Sequence, residues 1–258
     1  MMAVMFAMNY LLVSLILFFK SLTFVTSENT NPTENRLLGL YQGDILLRNG
    51  TTYSFERNAV TAANARWPNG VVYYTLDDIY TDSDKEVIRS AIEEFEKQTC
   101  IKWVERTDED DYVEIYNEQG CFSELGRMGG VQSMSLESPS CMKKGVIMHE
   151  MMHALGFLHE QSRPDRDDYI QVLWENIIRG MEPNFQKLSP LELNDLGLDY
   201  DYRSIMHYTA HMFAIDRSQP TIEPVNHRES LGNLGYGQKY GVFTDLDLQK
   251  INKFYECD

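Results

Sequence analysis

The strongest constraint on this fold is the stretch between Val146 and His159, which reads VIMHEMMHALGFLH. On a helix, His149 and His153 lie one turn apart on the same face, so both imidazoles can reach one metal ion. Gly156 can turn the chain sharply after the helix and bring His159 round as a third ligand. The stretch therefore predicts a helix that ends near Gly156 and carries a three-histidine zinc site with an open coordination position.

A carboxylate lies beside these histidines, at Glu150. In that position it can take a proton from a water molecule and return it to a leaving amine, which is general acid and base chemistry. The alternative is that the histidines are ordinary core or surface residues. Three of only six histidines in the chain fall on this pattern, which favours the metal site. His207, His211 and His227 have no ligand spacing and are interpreted as hydrogen-bonded histidines.

The extended motif, HExxHxxGxxH, resembles that of the metzincin zinc peptidases. The motif is followed by Glu160, Arg163 and Asp165. These three residues resemble those at the same place in the astacin branch of that clan. The resemblance implies an α+β fold in two lobes, with a mixed twisted sheet and long helices in the N-terminal lobe and a loop-rich C-terminal lobe. It also implies one catalytic Zn²⁺ ion held by the three histidines.

A second motif, SIMHY, ends at Tyr208 and resembles the astacin Met-turn. By that resemblance Met206 supports the zinc site from below, and Tyr208 is a residue close to zinc that can stabilise the oxyanion. The resemblance as a whole implies a secreted zinc endopeptidase that hydrolyses peptide bonds in protein or peptide substrates. A secreted zinc protein that binds peptides without cleaving them is the alternative, and the intact Glu150 counts against it.

The N-terminal region predicts entry into the secretory pathway. The first nineteen residues carry no charge and contain a long apolar run, which is typical of a signal peptide. Small residues around position 27 predict cleavage just after Ser27, so that residues 1–27 are removed. An uncleaved membrane anchor is the alternative, because the apolar run approaches spanning length.

Residues 28–57 are interpreted as a propeptide, with a glycosylation sequon at Asn49. Within it, the sequence YQGD, ending at Asp44, resembles the FxGD element by which astacin propeptides place an aspartate on the catalytic zinc. Arg57 followed by Asn58 resembles the family's activation site and predicts cutting by a trypsin-like protease. The freed amino terminus at Asn58 is then expected to fold toward Glu160.

Four cysteines suit an oxidising compartment, and their even number permits two disulfides in three connectivities. Spacing alone leaves the three open. The astacin resemblance implies the pairs Cys100 with Cys257 and Cys121 with Cys141.

Residues 58–258 are predicted to form one catalytic domain, and no further domain is recognised. Hydrophobic and β-branched patterns predict strands near 71–75, 101–104 and 112–116, and helices near 83–97 and 245–255. The segment from Cys121 to Gln132 resembles the part of astacins that offers an edge strand to an extended substrate.

The net charge of −16 argues against a nucleic-acid partner, because phosphate binding needs clustered lysines and arginines. A membrane partner is expected only if the N-terminal segment stays uncleaved.

Overall fold

The computed structural model describes residues 40–47 and 65–257. The predicted signal peptide, the Asn49 sequon and the Arg57–Asn58 boundary lie outside these residues. Within them the chain forms seven strands and four α-helices. The strands are β1 (Val71–Leu76), β2 (Lys102–Glu105), β3 (Tyr112–Tyr116), β4 (Cys121–Ser123), β5 (Val131–Leu136), β6 (Ile170–Val172) and β7 (Ile222–Pro224). The helices are α1 (Asp82–Gln98), α2 (Lys144–Ala154), α3 (Tyr236–Tyr240) and α4 (Asp245–Tyr255).

Five strands form one mixed sheet in the order β2-β1-β3-β5-β4. All its pairs are parallel except β4, which runs antiparallel to β5 and forms one edge. Alternate residues of β1 and β3 point into the core, among them Val72, Val113 and Ile115, as the period of two along a strand requires. The prediction of a mixed sheet in an α+β fold is confirmed.

Helix α1 begins where its sequence signals a start. The Thr81 hydroxyl accepts the backbone N–H of Asp84, and the Asp84 carboxylate accepts the N–H of Thr81, which completes a capping box. The buried residues Ile88, Ile92 and Phe95 recur at helical spacing and pack the helix against the sheet. The apolar period therefore predicted this helix to within one residue at each end.

Helix α2 lies in the interior, and nine of its eleven residues are buried. It packs in the same hydrophobic core as the sheet and the C-terminal helix α4, through residues such as Ile147, Met148, Ile251 and Phe254. A helix that is surrounded by protein keeps its side chains in fixed rotamers, because interiors are close-packed. The motif residues on α2 are therefore held rigidly.

The second half of the chain is mostly turns and short 3₁₀ segments, with β6 and β7 as a two-stranded sheet. A separate hydrophobic cluster, built around Ile170, Phe185, Tyr200 and Ile222, supports this lobe. The expected loop-rich second lobe is thus observed. Helix α4 follows it in sequence but packs back on the first lobe.

Two disulfides join distant parts of the fold. Cys100 is bonded to Cys257 across a sequence separation of 157, which fixes the end of α4 beside the start of β2. Cys121 is bonded to Cys141 across a separation of 20, which ties the edge strand β4 to the turn before α2. These are the pairs that the astacin resemblance implies. Each restricts the unfolded chain and stabilises the folded one by about 2–4 kcal/mol.

Among the described residues, no helix combines the length and the apolar character that crossing a membrane requires. The apolar run near the N-terminus lies outside them.

Candidate active site

Helix α2 places His149, Glu150 and His153 together in the interior, each no more than 2% exposed. The two imidazole rings are one turn apart, with 4.7 Å between their centroids. The spacing of four residues on a helix thus brings both rings to one point, as the sequence predicted.

The turn after α2 brings in the third histidine. Gly156 has a φ of +104°, a conformation that strains residues with a Cβ atom. Its backbone N–H donates to the carbonyl of His153 at 2.8 Å, which closes the helix. The chain then reverses, and the ring of His159 lies 5.1 Å from that of His149 and 4.8 Å from that of His153.

The three histidines and Asp44 form one cluster of donor atoms, all within 4.8 Å of one another. The Asp44 Oδ2 atom lies 3.2 Å from Nε2 of both His149 and His159. Its Oδ1 atom lies 3.4 Å from Nε2 of His153. The structure therefore brings together all four residues that the sequence analysis assigned to the metal.

Two observations test whether this cluster fits zinc. The Nδ1 atoms of His149 and His153 donate to the backbone carbonyls of Ile205 and Phe157, each at 2.7 Å, so their Nε2 lone pairs face the cluster. His153 Nε2 and Asp44 Oδ1 are buried and have no hydrogen-bond partner, which native proteins rarely tolerate. Imidazole nitrogens with a carboxylate oxygen are a donor set typical of Zn²⁺.

Burial tunes the ionisation of the cluster. Desolvation lowers the pKa of His153 and brings that of His159 to about 4, against the opposing charge of Asp44. Both imidazoles are therefore neutral at pH 7, the form that binds metal. Burial alone would raise the pKa of Asp44. The positive charge that His159 and His153 carry when protonated, together with hydrogen bonds from the histidines, instead holds this pKa well below its ordinary value. Burial, followed by repulsion from Asp44, raises the pKa of Glu150 well above its ordinary value.

Asp44 belongs to a short segment, residues 40–47, called here the leading segment. Tyr41 and Ile45 pair with each other in a tight hairpin. The chain then runs parallel to the outer edge of β4, because Ser123 donates to the carbonyl of Asp44 at 3.0 Å and accepts from Leu46 at 2.9 Å. Ile45 is fully buried among leucines of both lobes. The leading segment thus occupies the free edge of the sheet and directs Asp44 into the metal cluster.

Tyr208 lies at the same cluster, with its ring 4.8 Å from that of His159. Its backbone N–H donates to Gln161 Oε1 at 2.9 Å, and its hydroxyl donates to the carbonyl of Gln42. Burial, followed by repulsion from Asp44, raises the pKa of Tyr208 well above its ordinary value. The phenol therefore stays protonated and remains a hydrogen-bond donor.

Two further predicted residues lie in the core next to this site. Met206 is buried in the main hydrophobic core, and its carbonyl accepts the N–H of Glu160 at 3.0 Å. Glu160 is buried between two cations, with Lys250 Nζ at 2.6 Å and Arg163 Nη1 at 3.2 Å. Asn58, its expected partner after activation, lies outside the described residues.

Several residues around the site were not identified from the sequence. Gln42 and Gln161 contact His159 and Tyr208, while Asp247 supports the chain at Ile205. Gln42 lies within the YQGD motif, which assigns it no role of its own. Asp247 has a local signal as well, since Thr244 and Asp247 form a capping box at the start of α4. His207, interpreted as a hydrogen-bonded histidine, does bond to the Tyr200 hydroxyl at 2.7 Å.

The mixed sheet, the buried HExxH helix and the third histidine beyond a glycine together have the fold and the site of the zinc metallopeptidases. The chain belongs to the astacin family of peptidases, whose family model matches residues 59–256. The predicted family is therefore confirmed.

Individual relatives agree with this assignment. The chain is 42% identical over 223 residues to the astacin-like metalloendopeptidase of Gallus gallus, a match that covers 84% of this chain and 51% of that protein. It is 40% identical to zinc metalloproteinase nas-4 of Caenorhabditis elegans, over 84% of this chain and 69% of that one. The chain thus spans about half to two thirds of the length of these relatives. Together with the donor set, they confirm the predicted zinc cofactor.

Among solved structures, the chain is similar to high choriolytic enzyme 1, a hatching enzyme zinc-protease from Oryzias latipes. The TM-score is 0.68 at 38% identity, covering 76% of this chain and 93% of that one. Myroilysin, at 18% identity and a TM-score of 0.51, shares the fold.

Proposed function

We propose that this chain is a secreted zinc endopeptidase made in a latent form, which hydrolyses peptide bonds in proteins once its N-terminal part is removed. The observation that carries the proposal is the Asp44 carboxylate, which lies within 3.4 Å of Nε2 of all three histidines. A carboxylate in this place occupies the coordination position that a catalytic zinc site must keep open for reaction.

The proposed metal ligands are His149, His153 and His159. When bound, Zn²⁺ supplies Lewis-acid activation of the scissile carbonyl and of a water molecule. Glu150, buried with an unpartnered Oε2 atom, is the proposed group that accepts the proton of the attacking water and returns it to the leaving amine. Tyr208, protonated at neutral pH, is the proposed donor to the developing oxyanion.

The edge strand β4 is the proposed binding site for the substrate main chain. Its outer edge already accepts a chain segment, since Ser123 exchanges backbone hydrogen bonds with residues 44 and 46. An extended substrate can use the same N–H and C=O groups once the leading segment has left, which is peptide recognition by strand addition. The leading segment therefore blocks both the metal cluster and the substrate edge.

The proposed maturation has two cuts. Removal of residues 1–27 as a signal peptide would deliver the chain to the extracellular space, and cleavage after Arg57 by a trypsin-like protease would release residues 28–57. The catalytic domain is then 58–258, and its new amino terminus at Asn58 is the proposed partner of Glu160. Glu160 is 5% exposed and already paired with Lys250 and Arg163, so the new ammonium group would join an existing buried cluster of charges.

The test is casein hydrolysis by the recombinant secreted protein before and after limited trypsin treatment, with and without a zinc chelator. Activity should appear only after cleavage, disappear with chelator, and be lost in Glu150→Gln, which is a matched control because it keeps the size of the side chain. Sequencing of the amino termini should find Glu28 before treatment and Asn58 after it.

A folded, zinc-loaded protein starting at Asn58 that cleaves neither casein nor a broad peptide library would contradict the proposal. Peptide binding to that inactive protein would then favour the alternative, a zinc protein that binds peptides without cleaving them.

A further inference from the structure

The three histidines differ in what holds their second ring nitrogen. His149 and His153 donate from Nδ1 to carbonyls of the main chain within the catalytic domain. His159 instead donates from Nδ1 to the side-chain oxygen of Gln42, at 2.9 Å. Its partner in this structure thus comes from the leading segment, 117 positions away.

Gln42 is held in place by burial, by its backbone conformation and by contacts of its main chain. The residue is 1% exposed and has a φ of +50°, which puts it in the left-handed region that side chains seldom adopt. Its carbonyl accepts the hydroxyl of Tyr208. The next residue, Gly43, passes so close to Phe213 that a Cβ atom would come within 2.7 Å of its ring. Gln42 is therefore fixed at both its main chain and its side chain.

A hydrogen bond to Nδ1 has a defined effect on a metal-binding imidazole. It fixes the tautomer in which Nε2 carries the lone pair, it restrains rotation of the ring, and it raises the basicity of the ligand. Loss of such a partner lowers metal affinity by about 10–100-fold. Nothing else among the described groups is found bonded to His159 Nδ1.

We propose that Gln42 is a positioning residue for the third zinc ligand, supplied by the leading segment and lost when that segment is removed. This rests on the proposed ligation of zinc by the three histidines. Its role is separate from that of Asp44, which faces Nε2 of the same rings. The latent chain would therefore hold zinc more firmly through two contacts, one on each side of His159.

The experiment compares zinc release from three uncut proteins, all carrying Glu150→Gln so that none can cleave itself. One has the natural Gln42, one has Gln42→Met, which keeps length and removes the amide oxygen, and one has Gln42→Glu, which keeps an acceptor. Transfer of zinc to a coloured chelator is followed over time. The Met variant should release zinc about tenfold faster than the parent, and the Glu variant should stay close to the parent.

Trypsin treatment and removal of the released segment should abolish the difference, because all three trimmed proteins are then identical. Equal release from the uncut Met variant and the parent would overturn the inference. Equally fast release from the Met and Glu variants would also overturn it, because loss of packing would then be sufficient. A parent that takes up no zinc would overturn it as well. A trimmed, zinc-loaded natural protein without hydrolytic activity would instead count against the proposed function alone.

Discussion

Asp247 accepts the backbone N–H of Ile205 at 3.0 Å, although the two residues are 42 positions apart. The carbonyl of the same Ile205 accepts Nδ1 of His149 at 2.7 Å. Asp247 also accepts the hydroxyl of Ser204 at 2.6 Å and the N–H of Thr244 at 3.1 Å. The cap of the C-terminal helix therefore supports the peptide that orients a proposed zinc ligand.

Replacing Asp247 with Asn should destabilise the uncut protein by about 2–3 kcal/mol, because an amide nitrogen cannot accept from these donors and buried donors are left unpaired. Urea unfolding of the Glu150→Gln protein measures the change. Asp245→Asn is the matched control, since it removes an exposed charge from the first turn of the same helix. Equal losses in the two variants would show that helix charge, and not support of Ile205, is responsible.

The sequence predicted those parts of the fold that depend on local pattern. The spacing of His149 and His153 determines that they share a helix face, and the apolar periods of α1 and α4 predict where these two helices lie. Contacts such as Ile205 with Asp247, or Gln42 with His159, depend on tertiary packing between segments that carry no mutual signal. Local periodicity cannot predict them.

Strand β5 is not predicted from the apolar pattern of the sequence, for a different reason. Only Met134 and Leu136 alternate with polar residues, and the polar residues Gln132 and Ser135 are buried as well, so the apolar pattern is too short to predict a strand. The Ser135 hydroxyl is bonded to the carbonyls of Glu118 and Gly120, at 2.9 and 3.0 Å, and the Gln132 amide donates to Gly126 at 2.8 Å. These side chains hold the loops that lead into and out of β4. A strand whose buried polar side chains form hydrogen bonds to neighbouring loops cannot be predicted from hydrophobicity.

Replacing Asp44 with Asn should weaken latency. The substitution removes the charge that faces the metal cluster and weakens this contact by ~1.5–3 kcal/mol. The uncut chain should therefore gain activity by about ten- to a hundredfold. A fluorogenic peptide measures hydrolysis, and Arg57→Gln in both parent and variant prevents cleavage at the proposed site. A zinc-loaded variant that stays as inactive as the uncut parent would argue that Asp44 does not maintain latency.

Replacing Tyr208 with Phe in the trimmed protein should lower kcat about a hundredfold with little change in KM, because a donor to the oxyanion acts mainly in the transition state. Steady-state hydrolysis of the same peptide separates the two constants. Tyr240→Phe is the control, since Tyr240 is 55% exposed and lies outside the site. If the loss appeared in KM alone, Tyr208 would instead be a residue that binds the ground state.

Asp201 should make stability depend on pH. Burial, followed by repulsion from Asp247, raises its pKa from 3.8 to about 6. The folded chain thus binds the proton more firmly than the unfolded chain does, which stabilises the folded state. This contribution to the free energy of unfolding is complete below pH 3.8 and is lost as the pH rises through about 6. His207 acts in the opposite sense, because burial lowers its pKa from 6.5 to about 4.

The measurable quantity is therefore the difference between Asp201→Asn and the parent, both zinc-free, in urea unfolding at several pH values. The free energy of unfolding of the variant, measured relative to that of the parent, should rise by about 2 kcal/mol between pH 4 and pH 7. The Asn side chain can still accept from Arg203 and donate to Thr244, so the hydrogen bonds that Asp201 makes are retained in number. A difference that does not vary with pH would contradict the raised pKa.

Lys250 and Glu160 form a buried ion pair at 2.6 Å. Replacing Lys250 with Met should destabilise the uncut chain by about 3 kcal/mol, because the buried carboxylate of Glu160 is left with one cation fewer. Lys253→Met, on the exposed side of the same helix, is the control. If the new amino terminus at Asn58 reaches Glu160 after cleavage, its ammonium group replaces the missing charge. The cost of Lys250→Met, measured by urea unfolding, should then be smaller in the trimmed protein than in the uncut one. An equal cost in both forms would argue that the amino terminus binds elsewhere.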